Sequence, residues 1–364
     1  MRVLILLDRP IARRERIMLS RLEIGLADEG VRVLHAVPRA ILVSESAGLY
    51  SRTVGYDPAG FPIPTRVRAR ALVSALDAAI SEAETGGVDL VHCFAPATWR
   101  LGLETARELG AAAAIEVWSL DALAGASETL SHTVRPSLMI ADPALLKAAA
   151  DRFPVHTVHS TPWGVHGELL QRESLSSDRI IGVLMLVSGT HPAHVSAAIH
   201  GFAAAAARDP RLMAFINTER ATGHAVWRML RRLNLADRVS LIPDAEARRE
   251  TILNLDALII PEPSGRLRTM PLDAMACGMP VIAAPDPALT IYLDGITARL
   301  VERADAAAWE QAFVDLATGR EHIAKLTNSA AAWVATNRPA SAHVASVLRA
   351  YDAILGTRST PTLA

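Results

Sequence analysis

Lysine is almost missing from this 364-residue chain: it stands only at Lys147 and Lys325, and the other fixed cations are arginines. Together with the many alanines this reads as the codon bias of a GC-rich bacterial genome, so arginine on the surface carries little meaning by itself. Cysteine is nearly as scarce. Cys93 and Cys277 both lie inside apolar segments, which argues against a disulfide framework or a cysteine metal site and fits a reducing cytoplasm. Hydrophobic residues make up 51% of the chain, yet no uninterrupted apolar run approaches the roughly 18 residues that would span a bilayer. The run Val3 to Leu7 is stopped by Asp8 and Arg9, too short for a signal-peptide core and better read as a first buried strand. A net charge of −1 gives no overall pull toward nucleic acid, and none is expected as a partner.

What is there is alternation. Short β-rich apolar runs are separated by longer helical patterns from end to end, which implies parallel sheets with helices on both faces. Strands are expected near Val3 to Leu7, Val31 to Val37, Leu90 to Phe94, Ala113 to Val117, Leu138 to Ala141 and His156 to His159. A second series follows the polar stretch at 171 to 180: Gly182 to Val187, Met213 to Asn217, Val239 to Pro243, Ala257 to Ile260, Pro280 to Ala283 and Ala298 to Val301. The expected fold is α/β, two Rossmann-like doubly wound domains facing a cleft at their strand ends. Their bounds are 1–165 and 166–338, with a terminal element at 339–364. That element carries Val344, Val347, Leu348, Tyr351 and Leu355 at three-to-four spacing, an apolar stripe in need of a surface.

The stretch PEPSGRLRTMPLDAMACGMPVI, 261 to 282, holds the most chemistry. Pro271 suits a first helical turn, Asp273 would place a carboxylate near the positive end, Gly278 supplies a left-handed stop and Pro280 forbids continuation. The loop before that helix has backbone N–H groups suited to an anion such as a diphosphate.

Several segments together resemble the retaining nucleotide-sugar glycosyltransferases of the GT-B fold. DLVHCF (89–94) looks like the family's acidic-apolar-Val-His strand, STPWGVH (160–166) like its interdomain crossing, and LNLADRVSLIPD (233–244) like its L-G-L-x-D-R-V segment. PLDAMACGMPVIA (271–283) is similar to L-E-A-M-A-C-G-x-P-V-V-A almost residue for residue. The resemblance implies a first, acceptor-side domain, a second, donor-nucleotide domain, and a last helix that returns to the first. It implies a UDP- or GDP-linked sugar as co-substrate and no other cofactor, and a glycan, lipid or protein as acceptor. It also implies donor contacts from Gly189, Thr190, Gly265, Arg266, Arg268, Thr269, Met270 and Asp273, and acceptor-side positions at Trp118, Ser119 and His92.

The chain departs from that pattern where charge matters. Counting back from Asp273, the family's first acid falls on Gly265, and Glu262 would have to swing across the loop to replace it. The family's Arg and Lys after the second domain's first strand become Thr190 and His194, and its glycine-rich first loop becomes DRPIARRER (8–16). Positive groups aimed at the leaving diphosphate are usually the largest catalytic term, so the question is replacement. Arg266 and Arg268 can pair with phosphate in a bidentate way, and a protonated His194 would add charge; the competing reading is a solvated arginine loop. His92 and His166 match family positions but read as hydrogen-bonded structural residues rather than catalysts, and His191 with His194 lacks flanking ligands for a metal.

Residues 12–26, with Arg13, Arg14, Arg16 and Arg21 beside Ile17, Met18, Leu19, Leu22 and Leu26, read as an ordinary first helix. The alternative is a basic face lying on the inner side of an anionic membrane. The leading functional expectation is retaining hexosyl transfer in the cytoplasm. The alternative is a catalytically degenerate GT-B protein serving as binding or assembly partner of an active glycosyltransferase. Epimerisation or a phosphorylase-like reaction stands third; the latter lacks a lysine for pyridoxal.

Overall fold

The computed structural model describes residues 1–45, 52–58, 63–80, 86–129, 135–154, 157–167, 179–218, 220–242, 254–302 and 304–356. The expected linker at 171–180 lies outside them except for its last two residues, as do His156 and Pro243 at the ends of two expected strands. The chain forms two compact units: Met1–Trp163 with Ala340–Ala364, and Gly164–Pro339.

The first unit runs β1 (Arg2–Leu6), α1 (Arg9–Arg14), α2 (Arg16–Asp28), β2 (Arg32–Pro38), α3 (Arg39–Glu45), β3 (Arg52–Tyr56), α4 (Thr65–Ala79), β4 (Leu90–Cys93), α5 (Pro96–Leu109), β5 (Ala112–Val117), α6 (Leu120–Thr129), β6 (Ser137–Ile140), α7 (Pro143–Ala150) and β7 (Val158–Ser160). Its seven strands are ordered β3-β2-β1-β4-β5-β6-β7, and every pairing is parallel, as the alternation implies. Buried along their whole length, β1, β4 and β5 read as mostly apolar runs, each with one polar residue, Arg2, His92 and Glu116, the pattern of central parallel strands. Strand β3 is the one that sequence reasoning missed: RTVGY is short, contains glycine and starts exposed, as an edge strand can.

Residues 12–26 do not form one helix. Glu15, fully buried, interrupts it between α1 and α2 and takes the guanidinium of Arg14 at 2.7 Å. Met18, Leu19, Leu22 and Leu26 are all buried, so the apolar stripe faces the protein interior.

The second unit contains β8 (Ile181–Val187), α8 (Pro192–Arg208), β9 (Leu212–Thr218), α9 (Arg220–Arg232), β10 (Val239–Leu241), β11 (Ala257–Ile260), α10 (Thr269–Ala276), β12 (Val281–Ala283), β13 (Arg299–Leu300), α11 (Ala306–Thr318) and α12 (Arg320–Asn337). The strand order is β10-β9-β8-β11-β12-β13, again all parallel. All six expected strands are present. A last helix, α13 (Ala340–Gly356), belongs to the first unit and packs on α2, β6 and β7. Its buried stripe is His343, Ser346, Val347, Ala350, Tyr351 and Ile354, a slight rotation from the expected one. Among the described residues, no helix is long and apolar enough to cross a membrane.

A buried polar network ties the ends of the first unit together. Glu116 lies in the middle of the sheet with no exposure; its Oε1 accepts from the indole N–H of Trp163 at 2.7 Å, and its Oε2 is 2.8 Å from His92 Nε2. The other ring nitrogen of His92 is hydrogen-bonded to the Tyr351 hydroxyl at 2.8 Å. One carboxylate thus anchors Trp163, the last residue before the chain leaves this unit, and through His92 the helix on which the chain comes back.

Candidate functional site

In an open parallel sheet, ligands gather at the carboxyl ends of the strands where the strand order reverses. In the second unit that point lies between β8 and β11, which pair directly. The loops leaving these two strands, 188–191 and 261–268, are therefore neighbours, and they hold most of the donor residues expected from sequence.

The 188–191 loop closes on Glu262. This side chain, 2% exposed, accepts from the backbone N–H of Ser188 at 2.6 Å and of Gly189 at 2.8 Å on one oxygen. Its other oxygen accepts from the N–H of His191 at 2.8 Å and the Thr190 hydroxyl at 3.0 Å. Burial pushes this carboxyl upward, but the bonds from His191, Gly189, Ser188 and Thr190 outweigh it and hold it below the usual glutamate value. Helix α8 begins here; its N-cap residue His191 makes no side-chain capping bond, and the backbone N–H of His191 itself goes to Glu262, a glutamate 71 positions away in sequence. Glu262 does not reach across its own loop to stand in for the missing acid: it turns the other way.

The missing acid itself is more than a side-chain loss. Gly265 has φ of +61°, a left-handed conformation that costs a non-glycine residue roughly 1–2 kcal/mol, so glutamate does not suit this backbone. Its N–H is also engaged, donating to Asp286 Oδ2 at 2.7 Å, while Asp286 Oδ1 accepts from Ala288 N–H at 3.1 Å. One amide of the loop expected to be open to an anion, that of Gly265, is thus satisfied from within.

Helix α10 starts at Thr269, with Arg268 as N-cap residue, two positions before Pro271. Asp273 is consequently the fifth helical residue, not a first-turn carboxylate, and no acidic residue lies in that turn. The end of the helix follows the expected stop: Gly278 has φ of +73°, its N–H reaches Met275 O at 3.1 Å, and Met279 N–H reaches Ala274 O at 2.8 Å, before Pro280 and β12. Thr269, Met270 and Asp273 are buried, Arg268 is 9% exposed, and Arg266 is half-buried. Both arginines sit on the segment between β11 and α10.

His194 is the histidine expected to lend charge when protonated beside a diphosphate. Burial and the neighbouring His191 push His194 below the ordinary imidazole value, against the opposite pull of Glu262. Its ring meets that of His191 edge-on at 5.7 Å.

In the first unit, the acceptor-side positions fall at the carboxyl ends of β4 and β5. His92 is fully buried with both nitrogens engaged, which makes it part of the core network and not a contact for an acceptor. Trp118 donates its indole N–H to Phe94 O at 3.0 Å, and the Arg14 guanidinium stacks over its ring at 4.8 Å, a cation–π contact. The Ser119 hydroxyl accepts from Ala122 N–H at 3.0 Å and caps α6.

Residues 196–318 match the family described as Glycosyl transferases group 1. The match begins within α8, past the 188–191 loop, and takes in 261–283. No curated protein matches the chain by sequence. Among solved structures, sucrose-phosphate synthase from Thermosynechococcus elongatus is similar with a TM-score of 0.74 at 16% identity, over 98% of this chain and 100% of that one. HepE from Anabaena, solved with UDP and glucose, gives 0.70 at 13% identity over 96% and 98%. A glycosyltransferase from Rickettsia africae ESF-5 gives 0.69 at 15% identity over 97% and 98%. At these identities the likeness establishes the fold, which is GT-B.

Proposed function

We propose that this protein is a glycosyltransferase that moves a hexose from a UDP- or GDP-linked donor to a glycan, lipid or protein acceptor, with retention of configuration. The observation that carries the reading is the family match over 196–318, which spans the whole β11–α10–β12 segment of a GT-B fold. The neighbour HepE, solved with UDP and glucose, supports the donor class. In this reading Arg266 and Arg268 grip the diphosphate, Asp273 receives ribose hydroxyls from the position of the family's second acid, and Thr269 and Met270 line the donor side beside Gly189 and Thr190.

Breaking the sugar–phosphate bond leaves growing negative charge on the diphosphate, and fixed positive groups aimed at it stabilise the transition state more than the ground state. With Thr190 uncharged and His194 pushed below the ordinary imidazole value, the guanidinium groups of the 261–268 segment are the cations that this reading assigns to the task. Arginine suits it, because its planar fork holds two phosphate oxygens at once and stays charged.

Incubation with UDP- and GDP-linked hexoses tests the reading. The expected result is release of the nucleoside diphosphate, with NMR showing the freed or transferred sugar in the donor's anomeric configuration. Inverted product would refute retention, and intact donor in every case would refute transfer.

A further inference from the structure

We propose that Glu262 is a built-in anion for the loop after β8: a positioning residue that holds Ser188 to His191 in an anion-bound shape and withholds their N–H groups from phosphate. Three backbone N–H groups and one hydroxyl converge on a single carboxylate within 2.6–3.0 Å. Converging amides on the turn that leads into a 17-residue helix are an arrangement that binds anions. Here the anion is supplied by the chain, buried to 2% exposure, and it leaves β11 directly beside the strand whose loop it fills.

Two further observations support the assignment. His191, at the N-cap of α8, makes no capping bond with its own side chain, and its backbone N–H is held by Glu262. On the other side of the same strand end, Asp286 takes the N–H groups of Gly265 and Ala288 in a similar way. Internal carboxylates thus occupy amides on both loops that flank the switch point. A phosphate placed at 188–191 would have to displace a fixed negative charge and break four hydrogen bonds.

The consequence, which rests on the function proposed above, is a division of labour: donor phosphates are held by guanidinium groups of the 261–268 segment and not by the amides after β8. Glu262 is then a determinant of what this loop refuses.

Isothermal titration of the full chain with inorganic pyrophosphate tests this apart from the enzymatic reading, because the probe carries neither base nor sugar. Glu262→Ala is expected to bind pyrophosphate at least about tenfold more tightly than the native chain, since it exposes the emptied amides. A helix-capping role alone would predict weaker binding or none gained. Unchanged or weaker binding by a folded Glu262→Ala chain overturns the proposal. Should that variant fail to fold, Glu262→Gln is judged by the same comparison. Amide hydrogen exchange on the native chain decides independently: Ser188, Gly189 and His191 should keep the same protection with saturating pyrophosphate, and a change confined to these three would show that the anion displaces Glu262 and would refute the assignment.

Discussion

Arg266→Ala is expected to lower nucleoside-diphosphate release from the accepted donor by about 10²–10³-fold, the usual loss when one preorganised group facing the leaving charge is removed. The size of the effect follows from the absence of a substitute at the two positions where the glycosyltransferase pattern that the sequence resembles has cations. Thr190 spends its hydroxyl on Glu262, and His194 is held below the ordinary imidazole range. Arg266 is also the cleaner of the two arginines to change, being half-buried, whereas Arg268 is 9% exposed and its removal would disturb packing as well. Arg266→Lys should recover part of the rate, since the charge remains but the bidentate fork does not. Steady-state release from UDP- or GDP-linked hexose, with circular dichroism to confirm folding, provides the measurement. A rate within twofold of the native one would remove Arg266 from the site.

The second large effect is on stability. Glu116→Ala should destabilise the first unit by about 3–5 kcal/mol, since it takes the buried acceptor from two polar groups at roughly 1–3 kcal/mol each and opens a cavity besides. The variant leaves the Trp163 indole N–H and one nitrogen of His92 without their partner in the core, and a cavity in the middle of β5. Against a usual domain stability of roughly 5–15 kcal/mol, that is a large fraction. Tyr351→Phe, which removes only the hydroxyl on His92, should cost about 1 kcal/mol. Urea unfolding followed by amide exchange in α13 separates the two: early exchange there, far ahead of the second unit, is expected in Glu116→Ala. Equal stability of the native and Glu116→Ala chains would show that the network adds nothing.

Both carboxylates at the centre of this account, Glu116 and Glu262, show where sequence reasoning stops. The strands of the second sheet and all but β3 of the first were legible because parallel strands buried on both faces leave short continuous apolar runs. The stop of α10 was legible because glycine and proline act locally. Its start was not: Thr269 and Met270 carry no sharp signal, so Pro271 looked like the beginning and Asp273 looked closer to the positive end than it is. Glu262 pairs with groups 71 to 74 positions away, and Glu116 with groups 24 and 47 positions away. Periodicity carries no information about such distances. One signal was available: a glutamate inside an otherwise apolar strand, as in AAAIEV, demands a partner, even though the sequence does not say which. At Gly265 the sequence showed an acid missing, while the structure shows a backbone that no longer suits one.

Whether the second unit is a nucleotide-sugar site is tested most directly by titrating the full chain with UDP and GDP and following the heat of binding. Saturable binding of one nucleoside diphosphate is expected, weakened at least about tenfold in both Arg266→Ala and Asp273→Ala. Absence of binding by either nucleotide at millimolar concentration, in a chain shown to be folded, would contradict the account.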